Sequence, residues 1–352
     1  MALIDRILDP PSYGWKDENN NLVVPTFRQL FSEFFSRLNI FRSRKNWVAF
    51  ISWFWVIALG HFLAVFFIFF FSWKLFFFGF LYGIIFMAMH STVWYHRYST
   101  HQAFVFNSSI WRFITKNLVV KILLEEVYVV SHHVHHSKSE KPGDPYNAHG
   151  GGLYCFLADV NHQKISQNLS EKDYIELTKL LDHTGMYINS YEQYLKWGSV
   201  AHPAWSVLHW VLNWGFWYIV FFLIGGHALA FALFGGAAAF SIGIRTYNFE
   251  GHGKGKDKRQ EGIDFNTKDL SINQVWPGYA AGEWHNNHHL FPKSARNGFL
   301  PYQLDLPWVY IYLLFKIGAI KSYRDDKQVF LEKYYYPYKK EKAAKKGSRQ
   351  VI

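Results

Sequence analysis

The stretch Ser131-His132-His133-Val134-His135-His136 places four imidazoles within five consecutive positions. If the chain is helical here, His132, His135 and His136 stand at i, i+3 and i+4, so their side chains share one face. Core packing alone does not explain four clustered histidines, because clustered imidazoles need buried polar partners or repel one another when protonated. The stretch therefore predicts a metal site, with His133 as a neighbour of the ligands rather than a ligand.

Two further groups of histidines support this prediction. His285-Asn286-Asn287-His288-His289 repeats the H-x-x-H-H spacing, and His96 with His101 forms H-x4-H. Without His133, the three groups supply eight candidate ligands, too many for one four-coordinate zinc ion and enough for two metal ions. Imidazole alone does not identify the metal, since it suits zinc, copper, iron and nickel.

The sequence separation of other candidate ligands indicates which of them can share one helix face. Asn248 and His252 are four residues apart, so a continuing helix places them on one face, where the amide could bind metal directly or through water. His96 and His101 are five residues apart, which is about 140° on a regular α-helix. Either the helix breaks after His96, or these two histidines bind different metal ions.

Long stretches without charged residues predict membrane spans. Residues 47–73 and 75–96 are separated only by Lys74, and the charge-free residues 197–244 contain Gly225-Gly226-His227, where a turn would divide them. With an aromatic content of 20%, this pattern predicts an all-α integral membrane protein. We expect four transmembrane helices in two hairpins, at about 47–73, 75–96, 200–224 and 227–248.

The basic residues predict the orientation of these hairpins. Lysine and arginine lie at the ends that lead to the N-terminus, to residues 97–196 and to residues 245–352, and Lys74 alone marks the other side. By the positive-inside rule, both termini and every histidine group face the cytosol, where a helical cap can hold a two-metal site. The predicted location is a bacterial inner membrane or the endoplasmic reticulum, with residues 1–46 as a cytosolic N-terminal segment.

Local signals outline the cap. Ser108 or Ser109 is expected to cap a helix that runs from Ile110 toward His136. Pro142-Gly143-Asp144-Pro145 then ends it. A second helix is predicted over residues 171–183, and the apolar residues 308–320 are too few to cross a membrane and favour an interfacial helix.

Net charge and cysteine content limit which binding partners and electron carriers the chain can have. The net charge of +11 does not indicate nucleic acid, because the basic residues flank apolar stretches and crowd the C-terminus, as at an anionic membrane surface. The single cysteine, Cys155, excludes an internal disulfide and a fused iron–sulfur or rubredoxin-type domain, each of which needs several thiolates. Any electron donor is therefore expected to be a separate protein.

The three groups resemble the histidine boxes of the membrane fatty acid desaturases, in particular the delta-9-like acyl-CoA and acyl-lipid members. The resemblance covers about residues 47–325, a desaturase domain followed by a basic C-terminal tail over residues 326–352. Asn248 and His252 match the N-x-x-x-H element of the family's acyl-CoA members. The first box is similar to His96-Arg97-Tyr98-Ser99-Thr100-His101-Gln102-Ala103-Phe104, and the second to His132-His133-Val134-His135-His136, with Asp144-Pro145 following. The third is similar to Gly282-Glu283-Trp284-His285-Asn286-Asn287-His288-His289-Leu290-Phe291-Pro292.

The resemblance implies an oxygen-dependent enzyme with two iron ions, Fe2+ or Fe3+, and a water molecule held by Asn248. Such an enzyme inserts a cis double bond into a saturated acyl chain linked to CoA or lipid, using O2 and two external electrons. A donor of the ferredoxin, rubredoxin or cytochrome b5 type and membrane lipids are the implied partners. Glu283 and Asp144 are expected to accept hydrogen bonds from ligand ring N–H groups. The implied iron ligands are His96, His101, His132, His135, His136, His252, His285, His288 and His289.

Two other functions remain open at the level of sequence. A related di-iron hydroxylase begins with the same C–H cleavage, and ligand motifs do not separate it from a desaturase. A zinc-binding membrane transporter would need ionisable residues inside its spans to carry ions. The predicted spans carry no acidic residue, which argues against a transporter.

Overall fold

The computed structural model describes residues 3–252 and 284–348, and these residues fold mainly into helices, as predicted. π-helical segments at Phe66–Phe70, Tyr82–Met87, Thr92–Thr100 and Leu331–Tyr335 extend several of the helices. Two short strands, Phe104–Phe106 (β1) and Ile320–Tyr323 (β2), pair antiparallel. The α-helices are Phe27–Leu38 (α1), Trp47–Val65 (α2), Trp73–Leu81 (α3), Ala88–Ser91 (α4), Ser109–Lys116 (α5), Glu125–Lys138 (α6), Gly152–Phe156 (α7), Ala158–Asn161 (α8), Glu171–Thr178 (α9), Tyr191–Trp197 (α10), Pro203–Gly243 (α11), Tyr247–Gly251 (α12), His285–Leu290 (α13), Leu306–Lys316 (α14), Lys327–Phe330 (α15) and Tyr336–Ser348 (α16).

Within the described residues, three helical stretches are long and apolar enough to cross a membrane: Arg44–Phe70, Trp73–Thr100 and Pro203–Gly251. The first two form the first hairpin. It turns at Phe71 and Ser72, and the Ser72 hydroxyl caps α3 by accepting a hydrogen bond from Leu75 N at 3.3 Å. Lys74, the predicted interruption, instead lies in the first turn of α3 because this cap starts the helix earlier.

The third stretch reverses direction at the predicted glycines. Gly225 (φ −150°, ψ 23°) and Gly226 (φ 67°, ψ −169°) are not helical, and only glycine adopts the second conformation readily. Trp214 and Phe234, on either side, have ring centroids 5.6 Å apart, whereas twenty residues of straight helix span about 30 Å. The stretch is therefore a second helical hairpin, and the crossing of a membrane by each of its arms stays a prediction.

The two hairpins pack with their backbones in contact. A Cβ atom built on Gly83 would lie 2.5 Å from the carbonyl oxygen of Gly236, and one on Gly79 would lie 2.5 Å from that of Ala232. Any side chain at these glycines would push the helices apart. Aromatic rings fill the next layer, where Phe62 packs on Phe234 with centroids 4.6 Å apart.

The predicted helix from Ile110 toward His136 is wrong, because residues 117–124 separate α5 from α6. The cap at Ser108 is confirmed, since its hydroxyl accepts a hydrogen bond from Trp111 N at 3.3 Å. α5 ends at Lys116 because the backbone that follows it forms hydrogen bonds with side chains of α11 instead of continuing the helix. Asn213 Oδ1 accepts from Lys121 N at 2.9 Å, and Trp214 Nε1 donates to Lys121 O at 2.9 Å.

Two other helices are shorter than predicted. α9 ends at Thr178 rather than His183, because the His183 carbonyl accepts hydrogen bonds from Tyr98 Oη at 2.8 Å and from Arg112 at 3.1 Å. α14 ends at Lys316 rather than residue 320, and the chain turns at Gly318 (φ 78°) into β2. The unpredicted pairing of β2 with β1 ties the end of the first hairpin to the C-terminal part of the chain.

Candidate metal centre and adjoining cavity

The first histidine box lies on the π-helical segment Thr92–Thr100. His101 N donates to His96 O at 3.1 Å, a hydrogen bond between residues five apart that defines the wider π turn. His96 and His101 therefore stack one turn apart, with ring centroids at 5.0 Å. The predicted helix break after His96 is wrong, because the helix continues as a π-helix, and the two histidines lie in one group of possible ligands.

The second and third boxes lie on α6 and α13. α13 is held in place through Asn287, whose amide donates to Asn297 O at 2.8 Å and to Gln303 Oε1 at 2.9 Å. Trp284, at its N-cap, donates from Nε1 to Leu304 O at 3.0 Å. These buried amide and indole contacts fix the direction in which the third box faces.

The structure brings all nine predicted histidines together in two adjacent groups. Within each group the possible ligand nitrogens lie within 4.8 Å of one another. The groups adjoin, since the rings of His136 and His289 have centroids 4.7 Å apart. We call them the five-histidine group, formed by His96, His101, His132, His136 and His288, and the four-histidine group, formed by His135, His252, His285 and His289.

The nitrogen positions fit metal ions. In the five-histidine group, His288 Nε2 lies 3.0 Å from His96 Nε2 and 2.8 Å from His136 Nε2. Ligand nitrogens about 2.0–2.1 Å from a metal and at right angles to one another lie roughly 3 Å apart. Among the described residues, the buried Nε2 atoms of His101 and His135 have no hydrogen-bond partner. A metal ion in each group would satisfy these nitrogens.

Burial favours the neutral form of four of these imidazoles. It lowers the pKa of His101, His132, His288 and His289 well below the ordinary value of 6.5, and the neighbouring imidazoles lower it further. Only the neutral ring offers a lone pair to a metal. The pKa of His133 falls to about 4, through burial and then the proximity of His183 and Lys293.

The second ring nitrogen of several of these histidines meets a polar side chain. His135 Nδ1 donates to Asp144, whose two carboxylate oxygens both lie at 3.0 Å. Asp144 also accepts from Glu140 N at 3.0 Å and from Tyr146 N at 3.2 Å, so its position is set by the loop after α6. Asp144 thus lies where the predicted orienting role requires, whereas Glu283 lies outside the described residues.

Sequence reasoning missed two residues that contact predicted ligands. His132 Nδ1 hydrogen-bonds to Tyr146 Oη at 2.7 Å, and Glu140 Oε1 lies 2.7 Å from His252 Nδ1. Both residues come from an irregular loop, where spacing carries no signal. Glu140 has a φ of 60°, a left-handed conformation that is costly for a residue with a Cβ and is common at functional sites.

A cavity of about 540 Å³ adjoins the metal centre. His96, His132, His285 and Asn248 line it, so the predicted water-binding residue shares this cavity with both histidine groups. Most of the remaining lining is apolar, including Ile84, Ala88, Ile122, Leu123, Val127 and Phe240. The cavity can hold a long apolar chain against the histidines.

Two parts of the cavity lining differ. Along the second helix the cavity reaches Ile84, whose neighbour Gly83 is in backbone contact with Gly236. Asp159 and Arg245 line it elsewhere and form an ion pair at 2.6 Å, with the guanidinium 4.7 Å from the centre of the Trp53 ring. The lining is therefore apolar near Ile84 and charged where α8 meets the end of α11.

Sequence comparison places this architecture among known proteins. The chain is 26% identical over 271 residues to the hex-5-enoyl-[acyl-carrier protein] acetylenase of Moorena producens (69% of this chain, 75% of the relative). It is 27% identical over 270 residues to the acyl-CoA C20 Δ5-desaturase of Anemone leveillei (75% and 78%). A Δ9 desaturase-like protein of Arabidopsis thaliana is 50% identical over 56 residues (15% and 19%).

No solved structure is significantly similar to this chain. The sequence model of the family described as fatty acid desaturase matches residues 72–310. This region contains all three histidine boxes, the second arm of the first hairpin and the whole of the second hairpin. The chain belongs to the fatty acid desaturase family, whose members are oxidoreductases that act on fatty acids.

Proposed function

We propose that the protein is an oxygen-dependent desaturase that inserts a cis double bond into a saturated acyl chain linked to CoA or lipid. One observation carries this proposal: a largely apolar cavity of about 540 Å³ is lined by histidines of two adjoining groups. Family membership supports the same chemistry. An elongated apolar substrate fits the lining, and its reacting carbons would lie beside His96 and His285.

Iron is the metal that this chemistry requires, and both groups offer suitable donors. The five-histidine group would hold one ion. The four-histidine group would hold the other, with Asn248 contributing through a water molecule. When bound, reduced by two external electrons and supplied with O2, the two iron ions provide the oxidant that removes two hydrogens from adjacent carbons.

The residues of the chain prepare the site for that step. The cavity walls exclude water from the acyl chain and hold it against the histidines, which selects one pair of adjacent carbons. Asp144 keeps the proton of His135 on Nδ1, which leaves Nε2 available as a ligand. Glu140 has the corresponding position at His252.

The proposal includes the predicted membrane arrangement. Four spans, arranged as two hairpins, would place both termini and the cap in the cytosol, at a bacterial inner membrane or the endoplasmic reticulum. The convergence of His96, near the end of the first hairpin, and His252, after the second, supports one common side. A separate donor of the ferredoxin, rubredoxin or cytochrome b5 type would supply the electrons.

The fatty-acid profile of cells that express the chain tests this function. We compare the intact protein with His135→Ala, and with His61→Ala as a matched control, since His61 is exposed on α2 away from the histidine groups. With an electron donor supplied, a new monoene should form with the intact protein and the control and not with His135→Ala. Hydroxylated chains in place of a monoene, or identical profiles for all three, would refute desaturation.

A further inference from the structure

The C-terminal segment packs against the residues that follow the third histidine box. Phe330 at the end of α15 is fully buried, with its ring centroid 4.9 Å from that of Phe299. The ring of Tyr334 lies 6.0 Å from that of Phe291, centroid to centroid. Phe291 follows His289 by two residues, so the segment is anchored next to the metal centre.

Beyond this anchor, the segment is strongly basic. From residue 327 to residue 348 the sequence has seven lysines and two glutamates. Several lysines lie over tyrosine rings, such as Lys333 over Tyr334 at 5.3 Å and Lys339 over Tyr335 at 5.1 Å. Four exposed lysines form what we call the lysine face: Lys333, Lys339, Lys340 and Lys342.

The proposed reaction, on which this inference rests, needs two electrons from outside. A saturated acyl chain gives up two hydrogens, which carry two electrons and two protons, as the C–C bond becomes a double bond. Reduction of O2 to two water molecules takes four electrons and four protons. A donor must therefore supply two electrons, and solvent two protons. With one cysteine, the chain cannot hold an iron–sulfur cluster of its own to supply them.

We propose that the lysine face is the docking surface for a small acidic one-electron carrier protein, which delivers these two electrons in two encounters. Opposite surface charges steer such encounters and orient the partners, which suits a complex that must form and separate in each turnover. Docking here places the carrier beside the contact of Tyr334 with Phe291, two residues from His289. The oxidised carrier then leaves.

The lysine face could also bind an anionic membrane surface. The structure favours the acidic carrier protein over the membrane as its partner. An interfacial helix needs a face of large apolar side chains. Such faces occur on α5, where Ile110 and Phe113 are exposed, and on α14, where Leu313 and Ile317 are exposed. The sequence of α16 offers only tyrosines, one proline and alanines besides its polar residues.

Charge reversal tests this inference. The variant Lys339→Glu/Lys342→Glu is compared with Lys172→Glu/Lys179→Glu, a matched change at exposed lysines of α9 and its C-cap. Each protein is placed in nanodiscs of phosphatidylcholine alone and in nanodiscs that also contain phosphatidylglycerol. Turnover is followed with reduced ferredoxin, with reduced cytochrome b5 and with dithionite-reduced methyl viologen. We expect the apparent KM for the active carrier protein to rise about tenfold in the tail variant only. The viologen-driven rate should be the same in all three proteins.

The possible outcomes separate the two proposals. An unchanged KM in the tail variant, or wild-type turnover with viologen but with neither carrier protein, overturns the docking surface. An effect that appears only in nanodiscs containing phosphatidylglycerol also overturns it, in favour of a membrane contact. No turnover of the wild type with any reductant overturns the proposed function itself.

Discussion

At the scale of single residues, each histidine of the centre has two ring nitrogens with different surroundings. His135 shows this most clearly, because Nδ1 meets both oxygens of Asp144 at 3.0 Å while Nε2 has no partner among the described residues. The carboxylate decides which nitrogen carries the proton and therefore which one can bind metal. Spacing alone could predict His135 as a ligand. The contact of Asp144 with His135 could not be predicted in this way, because Asp144 lies in an irregular loop without helical or strand periodicity.

Asp144→Asn keeps the size of this side chain and removes its charge. We expect iron affinity to fall roughly tenfold to a hundredfold, as is typical when a carboxylate behind a ligating histidine is lost. Iron retention against a competing chelator measures this, with the exposed Asp182→Asn as control. Equal retention by the two variants would mean that Asp144 does not support the ligand.

Glu126 predicts how stability depends on pH. Burial raises its pKa from 4.5 to about 7, and hydrogen bonds from the backbone N–H groups of Ala201, at 2.6 Å, and Val200 only partly offset this. Because the folded protein favours the protonated form, Glu126 stabilises the fold at low pH and loses this contribution as pH rises from about 4.5 to about 7.

The Tm of the protein in detergent, measured across this pH range, tests the assignment. Glu126→Gln is always neutral, so its Tm should fall less between about pH 5 and about pH 8 than that of the wild type. Glu176→Gln, at an exposed glutamate of α9, should behave like the wild type. Parallel curves for all three proteins would contradict a protonated Glu126.

At the scale of helices, hydrophobic runs and histidine spacing predicted the elements that carry the site. They did not predict the π-helical segment Thr92–Thr100, because the difference between i→i+4 and i→i+5 hydrogen bonds leaves no mark in composition. The break at residues 117–124 was also missed. The break depends on hydrogen bonds to Asn213 and Trp214, about ninety residues away. The helix propensity of the local sequence contains no information about such distant contacts.

The helix that carries His96 also carries Ile84, which lines the cavity and adjoins the backbone contact of Gly83 with Gly236. Ile84→Ala should lengthen the space by one or two methylene groups. Burial of a methylene contributes about 0.8 kcal/mol, so preference should shift by roughly tenfold toward chains two carbons longer. Competition between two saturated substrates, with products separated by mass spectrometry, measures the shift, and Ile57→Ala on the exposed face of α2 is the control. An unchanged preference would place the chain end elsewhere.

At the scale of the whole molecule, two helical hairpins bring ligands from distant parts of the sequence to one site. His96 at the end of the first hairpin and His252 after the second can meet the cap histidines only if those ends lie together. Charge-free runs and glycine turns were enough to predict this plan. The pairing of β1 with β2 was not predictable, because two strands of three and four residues carry too little pattern.

Cysteine labelling can test the proposed orientation of the protein in the membrane. Cys155 is the only cysteine and is 4% exposed, so it contributes little background. In bacterial spheroplasts, Lys74→Cys should react with a membrane-impermeant maleimide added outside, because Lys74 lies at the turn opposite the cap. Lys339→Cys should react only after permeabilisation. Reaction of both, or of Lys339→Cys alone, in intact spheroplasts would contradict cytosolic termini.

A single turnover of the purified protein tests the central claim most directly. The protein is loaded with iron, its metal content is counted, and it is reduced without oxygen in the presence of a saturated acyl substrate that carries deuterium along the chain. We predict two iron ions per chain and, after O2 is admitted, a monoene that has lost one deuterium from each of two adjacent carbons, in an amount no greater than one per two iron ions. A protein that binds zinc in place of iron, or forms no monoene with two iron ions bound, would contradict the account.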